Sequence, residues 1–231
     1  GIAREIHAVE NTGLKLPPAE NPARLPMPAG WKIDLKEAEG CPYYTGCLIE
    51  GIGKEETPDW MRNRLLASGL RSVNLIVDIT NYVLLETGQP LHAFDADLIQ
   101  GKQIIIRKAK ASEVFTAING AKYTLNGEDV VIADEGRVLA LAGVMGGQES
   151  EVSDRTRNIF LESAFFHPRR VRKTSVRLGL ASESSYRFER RVDPEGVDFG
   201  RERAIFLFRE LMKPSGLSAV LKAGGKPKLE K

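Results

Sequence analysis

The sequence has little cysteine and no long apolar run, and its charges nearly cancel. Only Cys41 and Cys47 occur, too few for the four Cys or His ligands of a structural zinc site. We expect two reduced, partly buried thiols. No stretch approaches the ~18 apolar residues that span a bilayer, and no signal-peptide core opens the chain. These features predict a cytoplasmic globular protein that does not bind a membrane.

Common catalytic signatures are also missing. The sequence contains no GxSxG, HExxH, CxxC or phosphate-binding P-loop pattern, and no metal site is predicted. Lys and Arg number 33 against 31 Asp and Glu, which excludes a uniformly basic surface but permits a local basic patch. With 231 residues, 42% of them hydrophobic, the chain is long enough to bury a core without disulfides.

Composition divides the chain into three parts. Apolar residues at helical spacing predict a helix within residues 1–16, and a proline cluster predicts an extended linker that completes an N-terminal part at 1–30. We expect the folded body over residues 31–213. The polar end, residues 214–231, is predicted to be a flexible tail.

Periodicity within the body favours an α+β fold. Residues 43–52 and several short segments between 102 and 164 alternate or are β-rich, with Asn119-Gly120 and Asn126-Gly127 predicted as hairpin turns. Helical spacing follows residue 57, where Thr57 is a candidate N-cap, and again after residue 74. Further helices are predicted after His167 and near the end of the body. We therefore expect an antiparallel β core, layered like a β-sandwich, with flanking helices.

Two polar residues stand in apolar surroundings. His92 follows a turn in TGQPLHAFD, near Thr80 and Asn81, and is either a hydrogen-bonded structural histidine or a functional one. Glu162 interrupts the apolar segment NIFLESAFF. A bare buried carboxylate is costly, so Glu162 either faces solvent or forms the polar floor of an apolar pocket.

Glycine and arginine are each concentrated in one segment. LAGVMGGQES carries Gly143 and Gly146, and it is either a tight turn or a wall that lets a ligand approach the backbone. Residues 155–191 hold ten basic and three acidic residues. This segment is either a solvated surface or a phosphate-contacting one, because guanidinium groups pair well with phosphate oxygens. The candidate phosphate-contacting residues are Arg169, Arg170, Arg172 and Arg177.

Several long motifs in one order resemble a known family. CPYYTG, PDWMRNRLLASGLRSVNLIVDITNYVLLETGQPLHAFDAD, LAGVMGGQES, FLESAFF and GLASESSYRFERRVDP are similar to the B3/B4, or editing, domain of the bacterial phenylalanyl-tRNA synthetase β subunit. The resemblance covers roughly residues 40–210, and the chain is too short to hold the rest of such a subunit.

The resemblance implies an activity, which is hydrolysis of tyrosine wrongly esterified to tRNA(Phe). Glu162 matches the glutamate that recognises the tyrosine hydroxyl. His92 matches a residue that either positions water or substrate or acts as a base. The matching residues of the pocket wall are Thr80, Asn81, Gly143, Gly146, Ser182 and Ser184. The family more often has Thr-Asp-Ala at 182–184, so Ser184 adds a hydroxyl to the wall, which puts the amino-acid preference in doubt.

The implied partners are the acceptor end of tRNA(Phe) carrying tyrosine, the synthetase α subunit and the remainder of the β subunit in an α2β2 assembly. No cofactor is expected in this domain, and ATP and Mg²⁺ are implied only for the full synthetase. We expect water to attack the ester directly, without a covalent intermediate. The alternative is a module of the same synthetase that binds tRNA or packs against other subunits without catalysis.

Overall fold

The computed structural model describes residues 2–228. Its helices are α1 (Ile2–Glu10), α2 (Asp59–Ala67), α3 (Leu75–Thr87), α4 (Pro168–Leu178), α5 (Glu183–Phe188) and α6 (Gly196–Met212). Its strands are β1 (Lys32–Leu35), β2 (Tyr43–Glu50), β3 (Leu91–Asp95), β4 (Gln103–Lys108), β5 (Val114–Thr116), β6 (Lys122–Thr124), β7 (Val130–Ala133), β8 (Val138–Leu141), β9 (Met145–Gly146), β10 (Ile159–Phe165), β11 (Gly216–Leu217) and β12 (Leu221–Gly224). None of these helices is long and apolar enough to cross a membrane.

The strands form two main sheets and one hairpin. The first sheet has the order β1-β4-β7-β8-β9, and only its β1–β4 pair is parallel. The second sheet has the antiparallel order β11-β2-β10-β3, and β12 also pairs with β2. Strands β5 and β6 pair only with each other. This arrangement confirms the predicted α+β fold with its mainly antiparallel core.

The two sheets pack face to face and enclose the larger apolar core. Phe94 and Phe160 from the second sheet meet Ile104, Val131 and Leu139 from the first, and all five are almost wholly buried. Successive side chains of a strand point to opposite faces, so every second residue of β10 faces this core. The predicted sandwich-like layering is confirmed.

Helices cover the outer face of the second sheet and enclose a separate core. Ile159 and Leu161 of β10 pack there with Ile79 of α3 and Phe208 of α6. Helix α3 begins at an Asn74 cap whose side chain accepts from the Val77 amide, and it ends at a left-handed Gly88. These caps fix where α3 starts and ends, and therefore which of its turns face the sheets.

The N-terminal residues contain the predicted helix, but no residue of α1 is buried. The proline-rich segment that follows has no regular structure up to β1, as predicted, yet it contacts α6. The Arg203 guanidinium donates to the Pro18 carbonyl at 3.0 Å, and the Glu20 amide donates to the Glu202 carbonyl at 3.0 Å. These contacts hold the linker against the helical layer.

The C-terminal residues differ from the predicted flexible tail. Strands β11 and β12 both pair with β2, so residues 216–224 belong to the second sheet. The polar sequence GGKPKLEK at residues 224–231 predicts a frayed end, but Asp198 of α6 binds Lys222 and Lys226 at 3.6 and 2.9 Å and holds this segment. The end of the predicted tail, residues 229–231, lies outside the described residues.

Local turn and cap predictions were partly wrong. Thr57 does not cap α2, since Pro58 occupies the N-cap position and the Thr57 hydroxyl donates to Asp78 at 2.6 Å. Asn119-Gly120 lies in the β5–β6 hairpin as predicted. Asn126-Gly127 joins β6 to β7, which pair with different strands, so it forms a turn without a hairpin.

Candidate functional site

A cavity of about 260 Å³ lies between the two sheets, where β3, β8 and β10 meet the middle of α3 and the start of α5. Its wall is mainly apolar, with Val77, Leu141, Val144 and Phe188 among the lining residues. A few polar groups interrupt this wall. A small, largely apolar cavity with converging polar groups is the usual form of a ligand site.

Glu162 reaches the cavity because of its place in β10. Its neighbours Leu161 and Ser163 face the helices, so Glu162 faces the space between the sheets. The opposing residues are Gly46 on β2 and His92 on β3. Glu162 is only 6% exposed, and the structure thus confirms a carboxylate inside an apolar pocket rather than one facing solvent.

Tyr44 is the hydrogen-bond partner of Glu162. The Tyr44 hydroxyl donates to Glu162 Oε2 at 2.6 Å, and Oε1 accepts no hydrogen bond from residues 2–228. Burial raises the pKa of Glu162 to about 7, and the bond from Tyr44 acts in the opposite direction. Burial and the nearby Glu162 charge raise the pKa of Tyr44 well above its usual value, so Tyr44 is a fixed donor.

His92 lies beside Glu162 and is partly exposed to the cavity. Its ring packs edge-on against Phe94, with ring centroids 4.5 Å apart, and makes no hydrogen bond within the described chain. Burial lowers the pKa of His92 to about 4. The imidazole is therefore neutral at pH 7, and so weak a base suits positioning through a ring nitrogen better than proton abstraction.

The glycine-rich turn forms the wall opposite His92. A Cβ on Gly146 would lie 2.6 Å from His92 Cε1, so the ring fits only against glycine. Gly143 adopts φ +69°, a conformation that suits glycine, and its N–H makes no hydrogen bond to residues 2–228. Gly143 lines the cavity with its N–H unpaired among the described residues, and the turn is at once a tight turn and a cavity wall.

Helices α3 and α5 complete the wall. The Thr80 and Ser182 hydroxyls are already engaged, because they donate to the Val77 and Val144 carbonyls at 2.8 Å each. Ser182 also caps α5, accepting from the Ser185 amide at 3.0 Å. Asn81 and Ser184 line the cavity without such bonds in the described chain, and their polar atoms are available to a ligand.

The four arginines predicted to contact phosphate lie on α4, and none of them lines the cavity. Arg170 binds Glu39 at 3.0 Å and Glu128 at 2.7 Å. Arg177 binds the buried Asp129. Arg169 and Arg172 are exposed and have no ion-pair partner among the described residues. Two of the four charges are therefore already balanced within the chain.

All eight residues predicted for the pocket line the one cavity. Their functional roles stay predictions. Tyr44 was not predicted, although alternation along 43–52 would have placed it on the face shared with Gly46 and Leu48. Neither β3 nor α5, which carry His92 and Ser184, was predicted as an element. Among residues 2–228 no group of three or more His, Cys, Asp or Glu is arranged to hold a metal ion, and both cysteines are free and buried.

Known proteins are similar in sequence to this chain. Residues 40–213 match the family model described as the B3/4 domain. The phenylalanine--tRNA ligase β subunits of Oleidesulfovibrio alaskensis and Geobacter metallireducens are each 45% identical over 91% of this chain. That of Thermotoga maritima is 41% identical over the same share. The chain spans about a quarter of the length of these relatives, with 26% covered in the first.

A solved N-terminal fragment of the phenylalanyl-tRNA synthetase β subunit from Pyrococcus horikoshii is a looser match. Its TM-score is 0.46 at 17% identity, over 71% of this chain and 50% of that one, and this likeness adds nothing to the assignment. The family model alone covers well over half of the residues. The chain belongs to the B3/4 domain family.

Proposed function

We propose that this domain removes tyrosine from mischarged Tyr-tRNA(Phe) as the editing part of a cytoplasmic phenylalanyl-tRNA synthetase. The observation that carries the proposal is the Glu162 carboxylate, buried in an apolar cavity with one oxygen bonded to Tyr44 and the other free of partners in the described chain. Such a group is satisfied by a ligand hydroxyl at the end of an aromatic ring. Phenylalanine would leave it unpaired, which a polar site strongly disfavours.

In the proposed ester hydrolysis, the cavity residues have different roles. Water attacks the ester carbonyl carbon, the bond to the ribose oxygen breaks, and the tRNA hydroxyl leaves with a proton. His92 and Asn81 orient water and substrate, and the Gly143 N–H stabilises the negative charge that develops on the carbonyl oxygen. The neutral His92 is a positioning group in this scheme, and the residue makes no covalent bond to the substrate.

The proposed contacts with tRNA phosphates lie outside the cavity, on α4. Arg169 and Arg172 are available to phosphate, whereas Arg170 and Arg177 are engaged with carboxylates. The relatives are named as subunits of a ligase. By extension, the partners we propose are the α subunit and the rest of the β subunit in an α2β2 assembly, with ATP and Mg²⁺ used elsewhere in it.

The decisive experiment measures hydrolysis of Tyr-tRNA(Phe) and Phe-tRNA(Phe) by the 231-residue chain with EDTA present. We expect loss of tyrosine at least 100-fold faster than loss of phenylalanine, because the site requires a hydroxyl. Glu162→Gln should remove the difference. Glu210→Gln, the same chemical change at an exposed position on α6, should preserve it. Equal rates for the two esters with the unaltered chain would contradict the proposal.

A second candidate is a module of the same synthetase that binds tRNA or packs against the other subunits without catalysis. Helix α1 favours it, because Ile2 and Val9 are 80% and 84% exposed on a helix with no buried residue. Unesterified tRNA binding without hydrolysis of either ester would support this candidate over editing.

A further inference from the structure

A second concavity, about 280 Å³ in volume, lies on the far side of α5 from the cavity. The end of α3, the second half of α5 and the turn before α6 line it. We call it the α5 cleft and define it by Gly88, Tyr186, Arg187, Arg190 and Arg191. None of these residues has a role in the editing site described above.

The cleft combines an exposed aromatic ring with a cation. Tyr186 is 55% exposed, although burial is the usual fate of so large a ring. The Arg190 guanidinium carbon lies over that ring, 3.7 Å from its centre, at the distance of a cation–π contact. Aromatic rings backed by arginine are the surfaces on which unpaired nucleic-acid bases stack.

The lining carries three arginines against one acidic residue, Asp193. Two of the arginines are partly balanced, since Arg187 binds Glu183 at 2.6 Å and Arg190 binds Glu189. Arg191 is exposed and has no ion-pair partner within residues 2–228. The cleft therefore keeps a cationic group available for an anion.

The backbone of Arg191 is strained. Its φ is +68°, in the left-handed region that glycine adopts easily and arginine does not. The chain thus carries an exposed cation at a position where glycine would be less strained. Strain of this kind concentrates at binding sites.

Position relates the cleft to the cavity. Ser184 and Phe188 of α5 line the cavity, whereas Tyr186 and Arg187 of the same helix line the cleft. The two sites are therefore separated by about one helix diameter, roughly 10–12 Å. This separation is short enough for the nucleotides that precede a terminal nucleotide in the cavity to reach the cleft.

We propose that the α5 cleft binds the single-stranded nucleotides just before the 3′-terminal adenosine of the tRNA, with one base on Tyr186 and a phosphate on Arg191. The proposal rests on the proposed function, since it takes the terminal adenosine to lie at the cavity. One face of α5 then lines the cavity, and the opposite face binds the preceding nucleotides. Arginine suits the phosphate because its planar fork pairs with two oxygens at once.

Fluorescence anisotropy tests the proposal with an unesterified RNA hairpin that ends in a single-stranded 3′-CCA. The probe carries no amino acid, so the result does not depend on hydrolysis. Tyr186→Ala should weaken binding roughly 10-fold, because stacking of one base contributes about that much. Arg191→Gly should weaken it as well and reduce the salt-dependence slope by about 0.7, the value for one phosphate of a single strand.

Two controls separate binding from folding. Arg191→Gly relieves the left-handed strain, so its melting temperature should equal or exceed that of the unaltered chain. Arg71→Ala removes an equal charge from the exposed loop before α3, at the opposite end of that helix from Gly88. It should change the affinity by less than twofold.

Three results would overturn the proposal. The first is no binding by the unaltered chain at ~1 mM, which lies above the usual range of non-specific dissociation constants. The second is affinity within twofold of the unaltered chain for both cleft variants. The third is equal affinity for a blunt RNA duplex with the same number of phosphates, because stacking requires unpaired bases. Selective tyrosine release accompanied by any of these would leave editing intact and refute the cleft alone.

Discussion

The two faces of strand β10 bury different kinds of surface. Ile159 and Leu161 face the helices and are fully enclosed by apolar side chains. Phe160 and Ala164 face the other sheet in the same way, but Glu162 between them meets a cavity. One strand thus supports a packed core on one side and an unfilled polar site on the other. Alternation lets adjacent residues serve stability and recognition separately.

Leu161→Ala should give the largest loss of stability and test the packed face. Leu161 is 0% exposed, and truncating a leucine in such a core lowers the free energy of unfolding by about 2–5 kcal/mol. Chemical denaturation would measure the change. The ratio of tyrosyl to phenylalanyl ester hydrolysis should stay constant under conditions in which the variant is folded. A changed ratio would mean that the two faces are not independent.

The pH dependence of stability tests the cavity face. The pKa of Glu162 is about 7 in the folded chain and 4.5 as its ordinary value, so the folded state alone holds this proton between those pH values. Stability from Glu162 is full below pH 4.5 and is lost as pH rises through 7. The free energy of unfolding falls by about 3 kcal/mol over this range, at about 1.4 kcal/mol for each unit of pKa difference.

Glu162→Gln should abolish that component, and the comparison uses unfolding titrations of both proteins between pH 4 and 8. His92 contributes in the opposite direction, since its pKa is lowered to about 4, but both proteins contain it. The difference between the two curves therefore isolates Glu162. Parallel curves would show that the carboxyl group is not buried in an apolar setting.

Glu162→Ala should reduce the preference for the tyrosyl ester by roughly 100-fold, because the group that pairs with the ligand hydroxyl is gone. Matched hydrolysis assays with both esters measure it. Gly146→Ala offers a steric comparison, since its methyl group would meet His92 at 2.6 Å. It should slow both esters together. If Glu162→Ala also slowed both equally, the glutamate would serve catalysis rather than selectivity.

His92→Ala should slow hydrolysis by only about 10-fold at saturating substrate, the effect of losing a positioning group rather than a strong base. Because the pKa of His92 is about 4, protonation of His92 should not lower the rate of the unaltered enzyme between pH 7 and 5.5. A pH–rate profile checks both statements. Complete loss of activity, or a rate controlled by a group of pKa 6.5 that disappears in the variant, would make His92 the base.

Tyr44→Phe should have the smallest effect, a several-fold fall in selectivity for tyrosine with little change in the phenylalanyl rate. The change removes only the hydroxyl that donates to Glu162 Oε2 at 2.6 Å. The carboxylate then loses its fixed orientation, and its pKa should rise further. Tyr43→Phe is the matched control on the same strand, because Tyr43 donates to Asp198 instead. Equal effects of the two variants would indicate a merely structural role.

Sequence reasoning predicted the cavity better than it predicted the elements around it. The pocket residues came from long motifs, and all eight line one cavity. Strand β3 was missed because LHAFD is short and directly follows Pro90. Helix α5 was missed because ESSYRF has only six residues, and its start depends on a Ser182–Ser185 capping box. Short elements of this kind are specified by their tertiary contacts rather than by periodicity.

Charge pairing was the least predictable feature. Arg170 binds Glu39, which lies 131 positions away in the sequence, and Arg177 binds Asp129, 48 positions away. A count of charges along residues 155–191 cannot reveal partners so distant. The pairing of the C-terminal residues with β2 was not predicted for the same reason. Leu221 pairs with Gly46, which is far away in the sequence.

That last pairing bears on how the chain acquires its structure during synthesis. Strand β2 emerges early, but its neighbours β10, β11 and β12 all come from the second half of the chain. Contacts so remote in sequence form slowly, because long loops must close first. The nascent β2, with its apolar side chains, has no partner until β10 has left the ribosome, and its other edge stays open until residue 224 has followed. Truncation just before β12 would therefore yield an incomplete sheet with an open edge, prone to self-association.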